Sequence, residues 1–111
     1  MDSYYKPEHL PQFAQIAEGN PQLAKAFFSY YNQVFAEGKL TEREKALIAL
    51  AVAHAVQCPY CIDAYSTACL EKGSDLDEMT EAVHVAAAIR GGASLVHGVQ
   101  MLEHVRQRGM G

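Results

Sequence analysis

What this sequence lacks narrows its role before any motif is read. Cysteine is sparse, three in 111 residues, which is poor material for a disulfide framework and better suited to redox or metal chemistry in a reducing compartment. Basic clusters are absent, and the formal charge is -4. That argues against nucleic acid, whose binding rests on neutralising phosphates. The longest apolar run, Ala46 to Ala53, stops at His54. Even extended to Val56 it falls short of the ~20 residues a membrane span needs. Met1 to Tyr5 has neither the basic start nor the apolar core of a secretory signal, so a cytoplasmic protein without a membrane partner is expected. Strand-type alternation, internal repeats and low-complexity tracts are also missing.

What is present points to one all-α domain. Half the residues are apolar and a fifth charged, which excludes compositional disorder, and the length suits a single domain. Residues 1–20, with Pro7, Pro11 and Gly19, read as an arm with a short helical piece around Gln12 to Ala17. The remaining 21–111 read as the helical domain, five or six helices in all. Asn20-Pro21 is a cap followed by proline at the first helical position, opening a helix to about Ala36 that Gly38 ends. Thr41 with Glu44 forms a capping box before Ala46–Ala53, a helix apolar on every side that must be covered all round. Pro59 opens a helix to Lys72, closed by Gly73. Ser74 or Asp75 caps the next, with Asp75 and Glu78 as a second capping box. That helix is expected to break at Gly91-Gly92, with a last helix from Ala93 to Gln107 and a loose tail behind it. Two helices apolar all round leave too few residues to wrap them in a monomer, so a homo-oligomer is expected.

The chemistry centres on Cys58-Pro59-Tyr60-Cys61. Pro59 disfavours helical geometry at Cys58 and then starts a helix, so the pair straddles a helix N-terminus, where unpaired N–H groups and the macrodipole favour thiolate. A structural zinc site needs four ligands, usually from two paired motifs, and the second pair is missing. Thioredoxin-type chemistry needs a βαβ context that is also missing. A dithiol redox centre, a structural thiol pair, and a thiolate site for a soft metal or metalloid such as arsenite that adds Cys69 remain. The helix-start geometry favours the first. Cys69, about two turns beyond Cys61, reads as a buried cysteine. Glu81-x-x-His84 has di-iron spacing without the required twin, so no metal or cofactor is expected.

A peroxide-reducing thiol needs a thiolate, a proton for the leaving oxygen, and a second thiol to resolve the sulfenic acid. His54, one turn before Cys58, and Tyr65, one turn after Cys61 on the same face, stand nearest the pair in sequence. Asp63 reads as a first-turn charge complementing the helix dipole. Glu44 already has a role as a cap. His84, alone in an apolar helix, reads more simply as a core histidine than as a catalyst.

Three stretches then become recognisable together: Glu44 to Val52, Cys58 to Tyr65, and Glu81-Ala82-Val83 through Gly91-Gly92-Ala93. Their residues and spacing resemble the alkylhydroperoxidase D-like core of the carboxymuconolactone decarboxylase family over about residues 40–100. Within it, the likeness is to the short peroxidase-like proteins associated with arsenosugar biosynthesis. The resemblance implies a helical fold, trimers or hexamers, a hydroperoxide substrate and a thiol or dithiol electron donor. It also implies that Cys61 attacks and Cys58 resolves to a disulfide. The sequence departs from the family at the proton relay. Tyr65 stands where a histidine is usual, and Ala46 where a glutamate is usual, with Glu44 two residues away; His54, His84 or Glu44 would have to take the relay over. The decarboxylating branch is not defined by a redox Cys-x-x-Cys.

Overall fold

A computed structural model describes residues 6–109, except the side chain of Leu10. Five helices and no strand occur among these residues, in agreement with the all-α expectation. A 3₁₀-helix at Pro7–Glu18 is followed by α1 (Pro21–Phe35), α2 (Glu42–Ala55), α3 (Pro59–Glu71) and α4 (Leu76–Gln107). The expected arm is therefore helical over nearly all its described length rather than over a short piece, and it packs against α1 and α3.

The caps form where the side-chain chemistry placed them. Asn20 Oδ1 accepts from Leu23 N at 3.1 Å. Thr41 Oγ1 accepts from Glu44 N at 3.1 Å, while Glu44 Oε1 accepts from Thr41 N at 2.8 Å. Asp75, rather than Ser74, caps α4, and Glu78 completes the reciprocal pair. Gly73, at φ 89°, closes α3 in a Schellman motif: its N–H bonds to Leu70 O and that of Ser74 to Cys69 O.

One boundary differs from expectation. Gly91-Gly92 does not break the helix; α4 runs through both for 32 residues. Neither glycine adopts the positive φ that a helix-ending motif requires. Glycine in a helix interior costs only about 1 kcal/mol relative to alanine, which good helix formers on both sides offset.

α2 is the hub, packed against α3, α4 and α1. Ala46, Leu50 and Cys69 form the fully enclosed centre, with Leu47, Tyr65, Ala68 and Met79 against it. Buried alanines at 24, 46, 53 and 86 let the backbones approach closely. Cationic side chains tie helix ends across elements. Lys45 Nζ donates to Val34 O (2.8 Å) and Ala36 O (2.6 Å) at the end of α1. Arg90 donates to Ala55 O at the end of α2. Both meet the negative pole of a helix.

The all-round cover expected for α2 is not supplied within one chain. Ile48, Val52 and Val56 are at least half exposed, and on α4 Leu95 is 81% and Val96 69% exposed. The chain shows 8734 Å² to solvent, where a compact monomer of 12.2 kDa would show about 6,100 Å². Its radius of gyration is 19.1 Å, against about 13 Å for a compact domain of this length.

Candidate active site

The link between α2 and α3 sets the position of the thiols. Gln57 takes a left-handed φ of 57°. Its N–H bonds to His54 O and the N–H of Cys58 to Ala53 O, a second Schellman motif without glycine. The turn delivers Cys58 in an extended conformation as N-cap of α3, with Pro59 at the first helical position. Cys61 comes next, in the first turn. Its backbone N–H donates to Cys58 Sγ at 3.3 Å, and the two sulfurs lie 2.7 Å apart as free thiols. Closing them to a disulfide, near 2.05 Å, asks for a movement of about 0.7 Å.

Burial opposes the thiolate that the helix start favours. Burial, then the hydrogen bond and charge of Cys58, push the Cys61 thiol up to about 11. The helix-terminal N–H that would stabilise a negative sulfur is aimed at Cys58 instead of at Cys61. A thiol held so high needs a base to release its proton at neutral pH.

The pair opens into a cavity of about 380 Å³. α3 and its cap contribute Cys58, Tyr60, Cys61, Ala64 and Tyr65; Tyr31 comes from α1, and His9 and Phe13 from the 3₁₀-helix. Cys61, Tyr31 and Tyr65 also line a second cavity of about 430 Å³ with Phe35, Leu40, Ile48 and Val52, so Cys61 sits where the two meet. Aromatic contacts hold these walls. Tyr65 stacks on Phe35 with centroids 5.2 Å apart, Phe35 meets Tyr31 at 4.9 Å, and Phe13 meets Phe28 edge-on at 5.2 Å. Burial, and secondarily the charge of Cys61, raise the Tyr31 hydroxyl above its ordinary pKa.

The structure brings together only part of the expected relay. Tyr65 shares the cavity with both cysteines. His54 does not; it lines a separate cavity with Gln57, Pro59, Ile62 and Asp63. Its Nδ1 lies 2.9 Å from Leu50 O, and because a carbonyl only accepts, Nδ1 carries the hydrogen. Glu44 is fully committed to its cap, and the Thr41 backbone N–H holds its carboxyl below the usual value. His84 is exposed on α4 rather than set in the core, and lies outside the cavity lining. Ala46 is buried and offers no proton. Cys69 is fully enclosed between Ala46 and Leu50, so the three-thiolate arrangement is not assembled. Among the described residues, no three His, Cys, Asp or Glu side chains converge as a metal site.

The residue that sequence reasoning missed is His9. It lies 51 positions before Tyr60, and its Nδ1 is 3.5 Å from the Tyr60 hydroxyl. That hydroxyl also accepts from Lys6 N at 3.4 Å. No local signal pairs these residues; only the folding of the arm onto α3 does.

Known proteins share this arrangement of helices. A structural-genomics protein from Methanobacterium thermoautotrophicum is 38% identical, with a TM-score of 0.74 over 78% of this chain and 97% of its own. A carboxymuconolactone decarboxylase family protein from Legionella pneumophila is 29% identical, with a TM-score of 0.68 over 91% of this chain and 95% of its own. An uncharacterised protein encoded in the cox locus of Paracoccus denitrificans is 34% identical over 96 residues, 86% of each chain. Residues 21–104, from the start of α1 almost to the end of α4, match the carboxymuconolactone decarboxylase family profile. Decarboxylases and peroxidase-like proteins both occur among its members. With a match that spans the dithiol and every α-helix packed around it, this chain belongs to the carboxymuconolactone decarboxylase family.

Proposed function

We propose that the protein is a dithiol hydroperoxidase of the peroxidase-like branch, akin to the proteins associated with arsenosugar biosynthesis. The observation that carries the reading is the pair of free sulfurs 2.7 Å apart on the wall of an aromatic-lined cavity. Cys61, at the junction of the two cavities, attacks the terminal oxygen of a hydroperoxide. The O–O bond breaks, an alcohol leaves, and Cys61 becomes a sulfenic acid. Cys58 then attacks that sulfur, giving a disulfide and water, and a thiol or dithiol donor of the reducing cytoplasm restores the pair. A protein of this fold from Thermotoga maritima, 22% identical with a TM-score of 0.65, carries a suggested part in the antioxidative response.

The working unit is a homo-oligomer. Each chain exposes about 2,600 Å² beyond the expectation for a compact monomer of its mass, which is the scale of an obligate interface. Exposed apolar side chains lie along α2 and α4, so a second copy of the same chain is their natural cover.

The decisive experiment compares reduced parent, Cys61→Ser and Cys58→Ser proteins mixed with hydroperoxide and read by intact mass. The parent should gain a disulfide, Cys58→Ser should accumulate a trappable sulfenic acid on Cys61, and Cys61→Ser should react far more slowly. Peroxide consumption unchanged in Cys61→Ser would sink the reading.

A further inference from the structure

Cys61 needs a proton acceptor, and among the described residues one imidazole, that of His9, lines its cavity. We propose that His9, acting with the Tyr60 hydroxyl, is the proton shuttle of the dithiol site. The role rests on the hydroperoxidase reading above. Lys6 N donates to Tyr60 Oη, and His9 Nδ1 lies 3.5 Å from the same oxygen. Tyr60 immediately precedes Cys61, and both line the cavity together with His9. Two of the expected relay groups are committed elsewhere: His54 faces another cavity and Glu44 caps α2.

The step balances without a further reagent. The Cys61 thiol proton passes to the Tyr60–His9 pair as the sulfur attacks the terminal oxygen of ROOH. The S–O bond forms, the O–O bond breaks, and the departing RO⁻ takes the same proton and leaves as ROH. The pair ends in its starting protonation state, and Cys61 is a sulfenic acid.

The titratable groups that face His9 in the cavity are Cys58, Tyr60, Cys61 and Tyr65 from α3 and its cap, and Tyr31 from α1. The test is single-turnover disulfide formation by the reduced full-length protein with cumene hydroperoxide at pH 7, followed by quenched intact mass. His9→Gln should slow disulfide formation about 10²-fold. Tyr60→Phe should slow it comparably, and added imidazole should restore much of the rate in His9→Gly. His104→Gln, on the far end of α4, should match the parent. A His9→Gln rate within twofold of the parent, with Cys61→Ser inactive, would overturn the shuttle and leave the hydroperoxidase reading standing. Parent-like turnover in Cys61→Ser would overturn both. A slow His9→Gly that imidazole fails to rescue would reduce His9 to a wall of the cavity and overturn its role in proton transfer.

Discussion

The backbone N–H of Cys61 points at the sulfur of Cys58 from 3.3 Å, while the two sulfurs stand 2.7 Å apart. The positive end of α3 thus acts on its cap residue, and the thiol one turn inside meets a neighbouring thiol instead of that backbone N–H. A Cys-x-x-Cys at a helix start is not electrostatically symmetric. In this resting arrangement the thiol read as attacking is the one whose proton is held tightly.

Titration checks that asymmetry. Burial and Cys58 raise the Cys61 thiol from 9.0 to about 11. Cys58→Ser removes the sulfur's charge but keeps the burial, so the Cys61 thiolate should appear at lower pH than in the parent, still above 9.0. Thiolate ultraviolet absorbance against pH measures this, and an identical midpoint would show that burial alone sets the value. The same shift carries a sign for stability. A folded-state pKa above the unfolded one leaves stability untouched below about pH 9 and removes it as pH climbs toward 11.

Gln57 holds its left-handed φ without glycine's freedom. Gln57→Gly should stabilise the fold by about 0.5–1 kcal/mol, because relief of the Cβ penalty outweighs the added freedom of the unfolded chain. A higher urea midpoint with an unchanged slope is the expected readout. Gln57→Val should lower the midpoint, since a β-branched residue fits that conformation worst.

The capping box of α2 supports the helix that everything else packs on. Thr41→Ala should cost about 1 kcal/mol in urea unfolding. Glu44, held below its ordinary 4.5 by the Thr41 backbone N–H, contributes stability above that value and loses it as pH falls through its folded-state titration. The loss of stability on acidification from about pH 5 should therefore be shallower in Glu44→Gln than in the parent.

Oligomerisation is testable on the exposed ridge of α4. Leu95→Glu with Val99→Glu places two charges where Leu95 and Val99 now face outward. Sedimentation velocity should show a trimer or hexamer for the parent and smaller species for the double variant. A parent sedimenting as a monomer would remove the proposed interface.

Much of this arrangement was legible in the sequence because it is local. Thr41 with Glu44, Asp75 with Glu78, and Asn20 with Pro21 each act across three residues or fewer, and each cap formed where its chemistry required. The straddling of a helix start by Cys58 and Cys61 arises likewise from Pro59. Gly91-Gly92 misled because glycine ends a helix only when the chain takes positive φ there, and the helix-forming residues beyond Gly92 keep it from doing so. The relay was illegible for a different reason. His54 and Cys58 are close in sequence, yet a left-handed Gln57 turns the chain between them and puts the imidazole on another cavity. His9 reaches the dithiol only through packing, as Phe13 sets against Phe28 and Tyr60 meets the arm.

The helices do not share their neighbours equally, and this gives the molecule a graded resistance to opening. α2 packs on three partners, whereas the 3₁₀-helix rests chiefly on α1 and α3 among the described residues. Amide hydrogens around Leu50 should exchange only through global unfolding, while those of Pro7–Glu18 exchange through far smaller fluctuations. One wall of the thiol cavity, carrying His9 and Phe13, therefore belongs to a segment outside that centre. A local excursion of the arm would widen the thiol cavity and leave the centre around Leu50 and Cys69 intact.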